Sequence, residues 1–293
     1  MAQKVGFIGL GAIGRPMAVH VAKHFDTMVW NRTAERARSF AKQTGAAATE
    51  DLAALASWAD VVITCLPTSA EVREVVERID GAWRHGQLLV DCTSGDPAGS
   101  RAIAEQLAAA GVDFVDAPVS GGTSGAEAGK LTVMLGGTDA AAARAQEVVR
   151  VFAAKVVHVG PVGTGHALKA LNNALLAINI QASGEALAAL VKLGVSGAKA
   201  VEVINASSGR SNVTENLIPE RVLSRAWPRT FRLALLDKDV GIALKVLQDT
   251  GVPHDAIGVA KQAYGDARAA LGEEADHVEL IKEIEKAAGV EIR

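Results

Sequence analysis

Lys169 and Asn173 stand four residues apart in the run Gly163-Thr164-Gly165-His166-Ala167-Leu168-Lys169-Ala170-Leu171-Asn172-Asn173, so on a helix both side chains project from one face. A lysine can give or take a proton, and an asparagine one turn on can hold a reacting group in line without carrying charge. The segment Asp116-Ala117-Pro118-Val119-Ser120-Gly121-Gly122-Thr123 sets the Ser120 hydroxyl before two glycines, Gly121 and Gly122. Exposed amides beside a hydroxyl form a pocket for a carboxylate. The substrate implied is a small molecule with an acid group at one end and an exchangeable proton at the other.

Gly9-Leu10-Gly11-Ala12-Ile13-Gly14 follows the apolar run Lys4-Val5-Gly6-Phe7-Ile8 and opens a helical stretch, the context that gives a GxGxxG match its meaning. Gly9 permits a tight turn, Gly11 lets a pyrophosphate approach the backbone, and Gly14 lets helix pack on strand. The phosphates then meet free amides at a helix N-terminus. The second strand candidate ends at Asn31-Arg32-Thr33, where a site specific for NAD carries an acid about 20 residues past the glycines. Arg32 can instead pair with a 2′-phosphate, with Asn31 and Thr33 adding hydrogen bonds. NADP is therefore the expected cofactor, with NAD still possible. Leu66-Pro67 and Thr93-Ser94 follow the next two strand candidates and are expected to border the nicotinamide half of the cofactor.

Placing these groups requires two kinds of architecture. Up to Gly160, short β-like runs (KVGFI, TMVW, DVVIT, LLVD, VDFVD, LTVML, KVVHV) alternate with Ala-rich helical stretches. That pattern predicts a mainly parallel sheet with helices on both faces. From Gly165 onward only helical patterns remain, with breaks near Gly194, Ser207 to Ser211, Trp227 to Thr230 and Gly251 to Pro253. Three glycines and a proline between Gly160 and Gly165 can continue neither element. The expected division is residues 1–162 for the cofactor and 163–293 for substrate and assembly. Ala167 to about Leu193 is apolar on nearly every side, and a helix of about 28 residues would run roughly 42 Å, enough to link the domains. An all-round apolar helix is expected to be buried, in part against a second subunit. Homodimer or homotetramer formation through the helical half follows.

The chain has 293 residues, a formal charge of −3 and 49% hydrophobic residues, ample for two cores. No basic run tracks a phosphate backbone, so nucleic acid is not an expected partner. The N-terminal apolar run is too short for a signal segment or a membrane span, which points to a soluble cytoplasmic protein without a membrane partner. Cys65 and Cys92 lie at the ends of strand-like runs, neither in a CxxC. They read as small buried residues rather than metal ligands, and no metal site is expected.

With FIGLGAIG, DAPVSGG, GxGxxxKxxNN and FRLALLDKD in order along essentially the whole length, the chain resembles the β-hydroxyacid dehydrogenase family, most closely its 3-hydroxyisobutyrate dehydrogenase branch. The resemblance implies a Rossmann-type domain followed by an all-α domain. It also implies interconversion of a short 3-hydroxy acid and its semialdehyde by hydride transfer to or from NAD(P). It makes Lys169 the acid/base, Asn173 a substrate-orienting residue, Ser120, Gly121 and Gly122 carboxylate binders, and Lys238 a cofactor or active-site contact. Two departures stand out: Ile13 replaces a frequent methionine, and Thr93-Ser94-Gly95-Asp96-Pro97 replaces a more usual Ser-Thr and apolar residue, which leaves the ribose contacts open. Imine reductases share the architecture but generally lack the lysine. Reductases of tartronate, succinic or glyoxylate-type semialdehydes and serine dehydrogenases share it, so the side-chain end of the substrate stays open, and a non-catalytic NADP-binding sensor or scaffold is a weaker alternative. His166, one turn before the lysine, reads as a first-turn packing or capping residue, because the lysine already fills the proton-transfer role.

Overall fold

The computed structural model describes residues 3–293, which fall into two compact units divided between Lys169 and Ala170. In the first, β1 (Lys4–Ile8), α1 (Gly14–Ala22), β2 (Asp26–Trp30), α2 (Ala34–Thr44), β3 (Ala47–Ala48), α3 (Leu52–Trp58), β4 (Val61–Thr64), α4 (Ser69–Arg78), β5 (Leu88–Asp91), α5 (Pro97–Ala108) and β6 (Asp113–Asp116) alternate along the chain. Then come β7 (Val119–Ser120), α6 (Gly122–Glu127), β8 (Leu131–Gly136), α7 (Asp139–Val149) and β9 (Ala153–Gly160). The strands form one sheet in the order β3-β2-β1-β4-β5-β6-β8-β7, with β9 on β8. Pairing is parallel from β3 to β6 and antiparallel where β8 meets β6 and β7. This is the doubly wound, mainly parallel sheet expected from the alternation.

Strand periodicity explains why helices cover both faces. Val5, Phe7, Val61, Ile63, Leu88 and Val90 turn to one core with Met17, Phe40 and Phe152, while Ile8, Val62 and Leu89 turn to the other with Leu55, Val72 and Ile103. Successive strand residues face opposite sides, so runs such as VVIT and LLVD are buried at every position and apolar in their first three. Each large side chain removed from water contributes about 1.5–3 kcal/mol. The two-residue strands β3 and β7 carry no alternation and have no sequence signature. β1 pairs with β2 on one side and β4 on the other, so the chain reverses its winding there, and a crevice opens at the carboxyl ends of these two strands.

Helix α8 (Thr164–Lys192) continues from the first unit into the second. After it come α9 (Gly197–Asn205), a π-helix (Val213–Leu223) carrying Pro219, α10 (Leu233–Thr250), α11 (Asp255–Leu271) and α12 (Leu280–Ala288). Leu187, Leu217, Ile218, Leu236, Tyr264 and Ile281 share one core. Asp276 ties the connection between α11 and α12 to the start of α10: it accepts from the backbone amides of Thr230 (2.8 Å) and Phe231 (3.0 Å) and from Arg221 (3.2 Å).

The 29 residues of α8 have the expected length, and within one chain the helix is only partly covered. Its most apolar window, of mean hydropathy 1.5, is only 33% buried, and Leu168 and Leu175 are 42% and 60% exposed. The chain covers one side of this helix and leaves apolar surface on another.

Candidate active site

The glycine turn between β1 and α1 is shaped by what a side chain would strike. Gly9 has φ +104°, and a Cβ there would collide with the Cys65 carbonyl; at Gly14 it would collide with the Gly9 carbonyl. At Gly11 nothing lies within 4 Å of such a Cβ, so that side of the turn is open. Helices α3, α4, α5 and α7 are capped by Asp51, Thr68, Asp96 and Thr138, whereas α1 has no side-chain cap and no acid in its first turn. The Arg15 and Met17 amides are taken by the Gly11 and Ile13 carbonyls and Pro16 has none, so an anion would meet the amides of the turn ahead of Arg15, with the helix dipole favouring negative charge. The turn therefore fits a dinucleotide pyrophosphate.

Around this turn the expected contacts sort into two groups. Arg32 and Thr33 are exposed. Asn31 is occupied within the protein: its Oδ1 accepts from the Leu10 amide at 2.9 Å and its Nδ2 donates to the Thr33 carbonyl at 3.1 Å. It fixes the glycine turn against the loop that carries Arg32. Thr93 is likewise buried, and its hydroxyl accepts from the Leu66 amide at 3.1 Å. The Thr93 amide donates to Asp91 Oδ1 at 3.0 Å, where the Thr64 hydroxyl also donates at 2.8 Å. These bonds lock the Leu66-Pro67 loop to the loop after β5. Burial first, then the Asp91 charge, pushes the Cys65 thiol up to about 12; burial also raises Cys92. Both cysteines are free and stay protonated at neutral pH, without nucleophilic character.

Ser120 ends β7, and Gly121 and Gly122 follow with φ +133° and +63°, a left-handed turn that side chains resist. Both glycines are exposed and Ser120 is partly so, leaving amides and hydroxyl accessible. Lys169 is half-buried in the second turn of α8. The start of that helix is held by Asp116 at the end of β6, which accepts from the Gly163 amide at 2.6 Å and the His166 amide at 2.8 Å. Burial raises the Asp116 carboxyl despite the bonds it accepts from these amides.

In the second unit Asn173 is 4% exposed and donates from Nδ2 to Asp239 Oδ2 at 2.7 Å. Lys238 Nζ lies 3.3 Å from Asp239 Oδ1. Asp239 thus joins the two residues singled out from sequence, and motif reading alone passed over it. Its signal was periodicity: it shares the buried side of α10 with Leu236 and Val240, where a carboxylate needs a partner.

With this geometry in view, the comparisons with known proteins agree over the whole chain. Residues 4–160 match the NAD binding domain of 6-phosphogluconate dehydrogenase, and residues 163–284 match the NAD-binding domain of NADP-dependent 3-hydroxyisobutyrate dehydrogenase. The chain is 38% identical to 2-(hydroxymethyl)glutarate dehydrogenase of Eubacterium barkeri, over 99% of this chain and 97% of that one. It is 35% identical to human mitochondrial 3-hydroxyisobutyrate dehydrogenase, over 89% of this chain and 80% of that one. A solved structure of Mycobacterium tuberculosis 3-hydroxyisobutyrate dehydrogenase with L-serine superposes with a TM-score of 0.91 at 29% identity, covering 97% and 99% of the two chains. The chain belongs to the β-hydroxyacid dehydrogenase family. Within it, the protein is an NAD(P)-dependent oxidoreductase of 3-hydroxy acids.

Proposed function

We propose that the substrate is 3-hydroxyisobutyrate, interconverted with its semialdehyde as in valine degradation, and that NADP is the preferred cofactor. The observation that carries the substrate reading is the end-to-end similarity to enzymes named for compounds with one shared core. 3-Hydroxyisobutyrate, 2-(hydroxymethyl)glutarate and L-serine each have a hydroxymethyl group on the carbon that bears a carboxylate. The 38% relative gives 2-(hydroxymethyl)glutarate standing as a second reading, in which the same core carries a further acid group.

Ser120 and the amides of Gly121 and Gly122 hold the carboxylate in this proposal. Asn173, oriented by Asp239, steadies the substrate hydroxyl. Lys169 takes the hydroxyl proton as the alcohol is oxidised and returns one to the carbonyl oxygen in reduction. NAD(P), when bound, supplies the hydride acceptor or donor. Residues 9–14 would hold its pyrophosphate, Arg32 with Thr33 its 2′-phosphate, Leu66 and Pro67 its nicotinamide side, and Lys238 would sit against cofactor or substrate. The protein works in the cytoplasm as a homodimer or homotetramer, whose neighbouring subunit covers the apolar side of α8.

NADP+ and NAD+ reduction with 3-hydroxyisobutyrate, L-serine and 2-(hydroxymethyl)glutarate tests the reading. The highest kcat/KM is expected for 3-hydroxyisobutyrate with NADP+; a higher value for 2-(hydroxymethyl)glutarate selects the second reading, and no turnover of any of the three removes both.

A further inference from the structure

His166 has no part in the proton transfer described above, yet it is among the most constrained side chains in the first unit. Its ring is buried, with Nε2 2.9 Å from the Thr93 carbonyl oxygen and Nδ1 2.7 Å from the Ser100 hydroxyl. A carbonyl only accepts, so Nε2 carries the hydrogen, and in the neutral ring Nδ1 receives the Ser100 proton. The Asp96 carbonyl, 3.1 Å from that hydroxyl, keeps a donor in the Ser100 amide at 3.1 Å. Asp91 Oδ2, at 3.9 Å from Nε2, is too distant to compete for its hydrogen.

The slot that holds the ring depends on residue 95. A Cβ at Gly95 would lie 2.8 Å from His166 Cε1, 3.0 Å from its Nδ1 and 2.5 Å from the Ser69 hydroxyl. Gly95 is not in the left-handed region, so glycine is required there for room and not for backbone conformation. The ring therefore sits flush against the loop after β5.

We propose that His166 is a positioning residue, a two-ended peg that fixes Lys169 relative to the Leu66 and Thr93 loops. This rests on the reading of Lys169 as the group that moves the proton. The first turn of a helix lacks intrahelical partners for its amides and is free to fray or rotate. Asp116 secures the backbone of that turn, and His166 secures its rotation by joining the Thr93 carbonyl to the Ser100 hydroxyl. With position 166 pinned, the azimuth of position 169, three residues on, is set as well. Thr93 in turn fixes Leu66, so one chain of hydrogen bonds connects the lysine-bearing turn to both loops expected beside the nicotinamide.

The test compares wild type with His166→Leu, His166→Gln, Gly95→Ala and Lys169→Ala, measuring kcat, KM for the hydroxy acid and the dissociation constant of NADPH by fluorescence. His166→Leu and Gly95→Ala should each lower kcat roughly 10- to 100-fold while NADPH dissociation stays within about threefold, as expected for misplacement of a reacting group. His166→Gln, whose terminal amide can still donate to Thr93, should recover a large part of kcat. Nitrogen-15 spectra of wild-type histidine rings should show His166 protonated on Nε2 with a bare Nδ1, a readout independent of any variant's folding. Wild-type kcat in His166→Leu, equal losses in the Leu and Gln variants, or an Nδ1–H ring overturns the positioning role while leaving the lysine reading intact. Near-wild-type turnover in Lys169→Ala removes the lysine reading and the proposal with it.

Discussion

Asn173 donates from Nδ2 to Asp239 Oδ2 across 2.7 Å, and both side chains are almost fully withdrawn from solvent. A charge on α10 thereby sets the direction of an amide on α8. Charge-assisted bonds of this kind are worth about 1.5–3 kcal/mol, so Asp239→Asn should lower kcat by about 10- to 100-fold as the Asn173 amide loses its fixed orientation. Steady-state kinetics on Asp239→Asn and Asn173→Ala should show losses of similar size, and a fully active Asp239→Asn would contradict the arrangement.

Lys169→Ala should reduce turnover by about 10²- to 10⁴-fold, the range for removal of a general acid or base. NADPH titration of the same variant should give wild-type affinity, since residues 9–14 and Arg32 are separate from the lysine in sequence.

Arg32 is the residue proposed to set the cofactor preference. Arg32→Ala should weaken NADPH by about 10- to 100-fold, consistent with loss of a charge-assisted pair, and leave NADH nearly unchanged. Equal kcat/KM for the two cofactors in the wild type would reverse this expectation.

Asp276 makes stability depend on acid. Burial raises its carboxyl, but the hydrogen bond and charge of His277, with the amides of Phe231 and Thr230, outweigh burial and hold it well below the usual carboxylate range. A depressed value in the folded state means the ionised form stabilises the fold above the unfolded value near about 3.9, and that this contribution is lost as pH falls through the lower folded value. Asp276→Asn should cost about 3 kcal/mol at neutral pH. Urea unfolding of the variant should show a shallower decline below about pH 4 than wild type; an equally steep decline assigns the acid sensitivity elsewhere.

The exposed side of α8 predicts assembly. Light scattering should give a mass at least twice that of one chain, and Leu175→Glu, at a position 60% exposed in the single chain, should shift it towards the monomer. A monomeric wild type would refute the subunit contact.

Much of this was legible in sequence because it rests on periodicity and on glycine. Two apolar faces per strand announced a sheet wrapped on both sides, and Gly9 to Gly14 announced the turn after β1. What escaped was the inward use of polar groups. Asn31 and Thr93 have the residue types of ribose contacts, and whether each turns to ligand or to backbone depends on neighbours distant in sequence, Leu10 for one and Leu66 for the other. Asp239 was hidden beside a more conspicuous lysine. For α8 the sequence announced an apolar helix needing cover from beyond its own chain, since composition records that a surface is apolar but not what covers it.

The raised thiols of Cys65 and Cys92 have a practical consequence. With almost no thiolate near neutral pH, neither should react with maleimides or peroxide at a useful rate. A cysteine introduced at Val259, 61% exposed on α11, would then be the one reactive thiol on the surface. A fluorophore or spin label could be attached there without first removing a native cysteine.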